Sequence, residues 1–455
     1  MTSAVSRLDL PAACARLRAR LIAPPQSNTI WRTEIAVRPI DPLRWLATQP
    51  DGEKTYWRAR DDDFEVAGAG VADTVSLSYE CAYGGVFEKV AWPPSAQNRR
   101  ARYYGGFAFA PTKHAVSGES MWQPFGAGQL ILPRFELVKR RGICKLACNL
   151  IPADLSPETR KAIFDDLELL KPPAARTAPG RPKLLKRRDY PDRDGWRSAV
   201  ATALRLISDR SLQKIVLARR SDFEIRGDLS PWLLLRALRG RSNNCYLFGF
   251  QTVHGSAFIG ASPERLYARK GLRIHSEALA GTIRRSRSVA ADRRLGRELL
   301  TSDKDRREHQ AVVEFLDDAF TRFCSRHRHD RRPALRQAGS VQHLCTEFHG
   351  ELRPGRGDNA IMAAIHPTPA TAGSPRDRAS AEISRLEPFE RGWYAGPIGW
   401  VGADAADFAV GIRSVLIVKN RLSLFAGAGI VAESNPDREW DELEGKIDHF
   451  LRLFQ

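Results

Sequence analysis

The stretch "FAVGIRSVLIVKNRLSLFAGAGIV", Phe408 to Val431, reads as two apolar arms around the polar pair Lys419-Asn420. Valine, isoleucine and phenylalanine favour a pleated, half-buried surface, and asparagine accepts the backbone of a tight turn, so the stretch predicts a β-hairpin. Working outward, "TVSLSYE", "QLILPRFELV", "QKIVLARRSDFEI", "CYLFGFQ", "GSAFIGASPERLYAR" and "GLRIHSEALAG" are also strand-like. Turns are expected at Gly84-Gly85 and Gly105-Gly106. Helical patterning is clear over roughly Asp194 to Ser208 and Asp303 to Arg326. Strand segments outnumber helices and often adjoin, which fits an α+β fold with mainly antiparallel sheets better than a doubly wound βαβ repeat. "KPPAARTAPGRPKLLKRR", Lys171 to Arg188, has the proline-rich, basic composition of a linker. No internal repeat is visible.

The 455 residues suffice for one large domain or two ordinary ones, and 43% apolar with 27% charged residues is a globular composition. No run of about 18 apolar residues could span a membrane. The start, "MTSAVSRLDLPAACARLRARL", lacks a continuous apolar core and reads as an amphipathic helix rather than a secretory signal. The seven cysteines (Cys14, Cys81, Cys144, Cys148, Cys245, Cys324, Cys345) form no CxxC pair and read as reduced thiols, pointing to the cytoplasm. Lysine and arginine total 71 against 53 acids, giving a net charge of +18. The densest basic runs, Lys183 to Arg188 and Arg326 to Arg336, lack interleaved aromatics, so nucleic acid is a remote partner.

The hairpin runs into "SNPDREWDELEGKI", where Glu439, Glu442 and Lys446 share one helical face. Taken alone, such a face is usually just solvated. Asp305 and Glu308 repeat the i, i+3 acidic pair near another helix start. Two such pairs facing one another would suit Mg²⁺, which takes a few carboxylates and keeps waters and ligand oxygens. Glu264, after Ser262-Pro263, sits among apolar residues, where a carboxyl becomes a usable general acid. Lys214 interrupts another apolar run, where burial would lower its pKa and make a usable base. For both, an ion pair within the sheet is the competing reading. Arg413 is expected on a buried strand, seeking a carboxylate. Ala280-Gly281-Thr282 offers bare backbone and a hydroxyl to a ligand, and "AIHPTPATAGSP" a rigid pocket wall.

In chain order, "KIVLAR", "GASPERL", "EALAGT", "SDKDRREH", "VQHLCT", "HPTPATAG", "YAGPIGW", "GIRS", "AGAGIV" and "SNPDREWDELEGK" resemble the chorismate-utilising enzyme family. Upstream, "KTYWRARDDDFEVAGAGVA", "RYYGGFAFA" and "WQPFGAGQLILPRFEL" resemble the matching region of isochorismate synthases. The resemblance implies two stacked, mainly antiparallel sheets flanked by helices. It implies a helical extension over residues 1–40 and one chorismate-binding domain over 40–455, divided into a variable part, 40–188, and a catalytic core, 189–455. Ammonia-using members carry glutamine where Lys214 stands, and aminodeoxychorismate synthases carry a nucleophilic lysine at the Ala280 position. Lys214 with Ala280 is the pattern of water-using members, and water needs a base.

The implied activity is therefore isochorismate synthase, with salicylate synthase as the alternative and a non-catalytic nucleic-acid-binding protein as the remote one. By resemblance, Lys214 is the base and Glu264 the acid. Glu308 and Glu442 bind Mg²⁺, with Asp305 (where glutamate is frequent) and Glu439 outside them. Arg413 and Lys446 hold the substrate's carboxylates. Gly281, Thr282, His343, Thr368, Ala370, Tyr394, Gly427 and Gly429 complete the pocket. No glutamine amidotransferase subunit is implied, and a monomer is the expected state.

Overall fold

A computed structural model of the chain describes residues 7–22, 29–78, 84–90, 100–110, 120–174, 182–286, 288–339 and 341–455. Cys81, the first six residues and residues 175–181 of the expected linker lie outside them. The hairpin forms as expected. Ser414–Val418 pairs with Arg421–Ile430, with Val418 opposite Arg421 across Lys419-Asn420. Lys419 takes the left-handed turn conformation, φ 53°.

On its far edge Arg421–Ile430 pairs with Lys214–Arg226. From Ser414–Val418 the sheet continues through Ala257–Ser262, Tyr246–Gln251 and Lys54–Arg58 to Phe64–Leu77. Phe64–Leu77 and Gly128–Arg140 form a long ladder from which two branches leave. One runs through Ile143–Leu150 to Trp31–Val37. The other runs through Arg102–Phe107, Pro397–Gly402, Ala405–Val410, Arg265–Lys270 and Arg273–Arg284 to Val341–Leu352. Every pairing between described strands is antiparallel, and all twenty join in one hydrogen-bonded network. The fold is α+β, with the sheet layers sharing that ladder. Two apolar cores result: one holds Trp122, Trp393 and Phe425, the other Tyr267, Phe408 and Phe320.

Several local expectations are corrected. Residues 1–40 hold the helix Leu10–Leu21, but Trp31–Val37 is a sheet strand paired from Trp31↔Leu150 to Val37↔Cys144. A boundary at 40 therefore follows a strand of the sheet. The boundary at 188 falls inside the strand Lys183–Tyr190, which ends the expected linker and pairs with Lys214–Arg226. Gly84-Gly85 opens the helix Gly84–Lys89. Gly105-Gly106 lies within a strand, where a Cβ on Gly105 would meet the Gln129 carbonyl at 1.8 Å. These two glycines serve close packing, not a turn. The long helix is Asp303–Phe323, and Arg326 belongs to the next strand, Cys324–His329. Basic side chains in both dense runs are engaged, Arg187 by Glu444 and Arg336 by Glu347. Among the described residues no helix is long and apolar enough to cross a membrane.

Candidate active site

Lys214 opens its strand, and Gly429 and Val216 sit opposite one another in the adjoining ladder. Gly429 leaves room for the lysine: a Cβ there would stand 2.9 Å from Lys214 Cε and 3.3 Å from Glu308 Oε1. Glu308 lies early in the helix Asp303–Phe323, whose first turn Ser302 caps by accepting from the Asp305 N–H and contacting its carboxylate. Glu439 and Glu442 lie on the C-terminal helix Pro436–Leu451, capped by Asn435 and started by a proline. The two acidic pairs thus come from two helix starts to line one cavity of about 370 Å³.

All but two of the sixteen residues singled out from the sequence line that cavity. Lys214 is the first exception, and its Nζ reaches in from behind to donate to Glu308 Oε1 at 2.7 Å. Thr368 is the second: it is buried, and its hydroxyl has no hydrogen-bond partner among the described residues. The walls draw on both cores, with Tyr394 and Phe425 from one and Ala280 from the other, while Ile412 packs against both. Tyr394 and Phe425 stack at 5.0 Å, and a Cβ on Gly427 would press on the Tyr394 hydroxyl at 3.0 Å.

Charge divides the cavity. At one end Lys446 Nζ donates to Glu442 Oε1 at 2.6 Å and to the Gly427 carbonyl at 2.7 Å. Burial pushes Glu308 towards its neutral form, but the Lys214, Lys446 and Lys304 charges win and hold it below the usual carboxylate range. Glu439 goes the other way. Burial and the Glu442 charge raise it against a 2.8 Å hydrogen bond from Ser434.

Glu264 sits where Ala257–Ser262 gives way to Arg265–Lys270 and is 6% exposed. Burial first, and then the Glu277 charge, push its carboxyl up to about 8, against the Lys214 and Arg413 charges. Arg413 is not on a strand. It occupies the bend before Ser414 with φ 47°, and Ala395, whose N–H donates to the Gly411 carbonyl, has φ 59°, so two non-glycine residues in the left-handed region border the cavity. Its guanidinium donates to His343 Nε2 at 3.1 Å. A guanidinium cannot accept, so His343 Nδ1 carries the proton and donates to the Thr282 hydroxyl at 3.0 Å. Burial and the Arg413 charge push His343 down to about 3, leaving it neutral at ordinary pH. At Gly281, φ 72° with Asp305 Cβ 3.1 Å from a notional Cβ makes glycine the residue that fits.

A family model described as chorismate binding enzyme matches residues 17–455. The chain belongs to the chorismate-binding enzymes. Isochorismate synthase MenF of Bacillus subtilis (strain 168) is 31% identical over 434 residues, covering 90% of this chain and 90% of its own. The chloroplastic isochorismate synthase 2 of Arabidopsis thaliana is 35% identical over 79% of this chain and 65% of its own. The structure of MenF, the menaquinone-specific isochorismate synthase from Escherichia coli, matches with a TM-score of 0.86 at 28% identity, over 98% of this chain and 100% of that one. Anthranilate synthase component I from Streptococcus pneumoniae TIGR4 shares the fold, with a TM-score of 0.71 at 21% identity over 88% and 93% of the two chains.

In this chorismate-binding enzyme the cavity also takes in residues that sequence reasoning passed over. Lys304 adjoins Asp305 inside a quoted motif and adds a third ammonium to the charged end. Arg391, at the start of "RGWYAGPIGW", is buried and donates to the Val216 and Thr371 carbonyls and to Glu387, joining two cavity walls. The arginine beside those aromatics was the available signal.

Proposed function

We propose that this chain is a Mg²⁺-dependent isochorismate synthase, adding water at C2 of chorismate with loss of the C4 hydroxyl. One observation carries the reading in a chorismate-binding enzyme: a buried amine and a buried, protonated carboxyl serve the same cavity. The names of the relatives support the same activity.

Lys214 is the base: it takes one proton from water as the water oxygen bonds to C2. The ring double bonds shift, the C4–O bond breaks, and Glu264 gives its proton to the departing hydroxyl, which leaves as water. Return of the proton from Lys214 to Glu264 through solvent closes the cycle, so the net change is an isomerisation. Arg413 and Lys446 hold substrate carboxylates, while Tyr394, Gly281 and the Gly427 to Gly429 backbone complete that grip. Thr282, His343 and Ala370 bound the ring and its side chain, and Thr368, two residues before Ala370, lies outside the cavity lining.

The donor set fits Mg²⁺. Four carboxylates from two helices face one cavity, and oxygens that a cation would take are satisfied by Lys214 and Lys446. Glu308 and Glu442 would hold the ion, with Asp305 and Glu439 acting through water. Bound there, it would neutralise and orient a substrate carboxylate. Water as the nucleophile requires no amidotransferase subunit, and we expect a cytoplasmic monomer.

Incubating purified protein with chorismate and Mg²⁺ and resolving the products tests the reading. Isochorismate should be the main product. Salicylate and pyruvate in equal amounts would move the assignment to a salicylate synthase. Absence of turnover with salt-sensitive retention on nucleic acid would sink it.

A further inference from the structure

We propose that Arg60 and Glu277 are positioning residues for Glu264: their buried ion pair fixes both backbone groups flanking Glu264 and sets the charge its carboxyl faces. This rests on Glu264 being the general acid.

Arg60 follows the strand Lys54–Arg58 and lies about 200 residues upstream of its targets, yet its side chain is fully buried. Nη1 donates to the Pro263 carbonyl at 2.5 Å, and Nη1 and Nη2 together grip the Glu277 carboxylate, Nη2 to Oε2 at 2.8 Å. Glu277 Oε1 in turn accepts the Arg265 N–H at 3.0 Å. The carbonyl before Glu264 and the amide after it are therefore held by two members of one bidentate pair. Glu264's own N–H goes to Ser262 Oγ at 3.2 Å, and its carbonyl accepts from the Val410 N–H at 3.1 Å. Neither Arg60 nor Glu277 lines the cavity, so they act on the substrate through the lining residues they hold, Pro263 and Glu264.

The pair is also asymmetric. Burial alone would neutralise Glu277, but the hydrogen bonds and charge of Arg60, with Arg265, keep it ionised. The ionised Glu277 then favours the proton on Glu264. The other charged groups acting on Glu264 are Lys214 and Arg413, both of which oppose that proton. Asp61, on Arg60 and Arg265, and Arg336, 3.7 Å from Glu277, complete the surroundings of the pair. An ion pair that only stabilised the fold would have no reason to bracket this one residue.

The test is kcat and KM for chorismate across pH in wild type, Glu277→Gln, Arg60→Lys and Glu264→Gln. Glu277→Gln keeps the shape and removes the charge. It should move the basic limb of the profile down by about one unit and so lower kcat at pH 8 by roughly fivefold, with KM nearly unchanged. Arg60→Lys keeps the charge and loses the fork, so kcat should fall several-fold at every pH with the limb in place. A Glu277→Gln profile that drops without moving, or wild-type kcat in Arg60→Lys, overturns the proposal. If Glu277→Gln does not fold, the Arg60→Lys result decides alone. Wild type that leaves chorismate unconverted, or full activity in Glu264→Gln, instead sinks the functional reading on which the pair depends.

Discussion

Glu308 and Glu264 are glutamates lining the same cavity, and their surroundings drive them in opposite directions. Glu308 touches Lys214 and lies within reach of two further ammoniums, so it stays ionised despite burial. Glu264 is buried with an ionised glutamate acting on it, and it keeps its proton to about pH 8. Burial acts on both in the same sense; what differs is the sign of the charge that acts on each most strongly. One side chain type is thus held ionised at one end of the cavity and protonated at the other, and the difference lies in the neighbours.

The comparison breaks most completely if its charged end proves dispensable. Glu308→Gln or Glu442→Gln should abolish measurable turnover while leaving the circular dichroism spectrum unchanged, and full activity in strong chelator would refute the role given to that end. Next in size are the proton carriers. Lys214→Ala and Glu264→Gln should each cost on the order of 10²–10⁴ in kcat while both variants still bind chorismate in calorimetry. Near-normal turnover in Lys214→Ala would remove the base from the mechanism.

Gly429→Ala sharpens the picture without touching a charge. Its Cβ would push into Lys214 Cε, displace the amine from Glu308 and cost roughly 10- to 100-fold in kcat. The smallest effect is on stability. Glu264 has a raised pKa, so the native state binds its proton more tightly than the unfolded chain does. Its contribution is therefore lost as pH rises from about 4.5 to about 8. Glu264→Gln should consequently melt a few degrees higher than wild type at pH 9, with the gain shrinking towards pH 5. An equal Tm difference at both pH values would contradict the protonation state assigned here.

Much of this was legible in the chain. A lysine in "QKIVLARR" and a glutamate in "GASPERL" are out of place in apolar strands, and that misfit marked two side chains that the fold buries at one cavity. The paired carboxylates were legible because helix spacing puts i and i+3 on one face. Other features needed tertiary information. Gly105-Gly106 looks like a turn because local sequence cannot reveal that Gln129, Trp393 and Ile398 will crowd it. Trp31–Val37 was missed because its strand character comes from its partner, Ile143–Leu150, more than from its own composition. Arg60 was invisible as a site residue for the same reason: its partners lie about 200 residues away.

The ladder between Lys214–Arg226 and Arg421–Ile430 also bears on how the protein is born. Val216 pairs with Gly429 and Ile215 with Ile430 across more than 200 residues of intervening chain. During synthesis the Lys214 strand leaves the ribosome long before its partner exists, and at about 5–20 residues per second the wait is tens of seconds. Meanwhile the apolar edge of that strand, "KIVLA", has nothing on its hairpin side to cover it. The cavity is therefore among the last parts to assemble, and that strand edge stays uncovered for nearly half of the chain's synthesis.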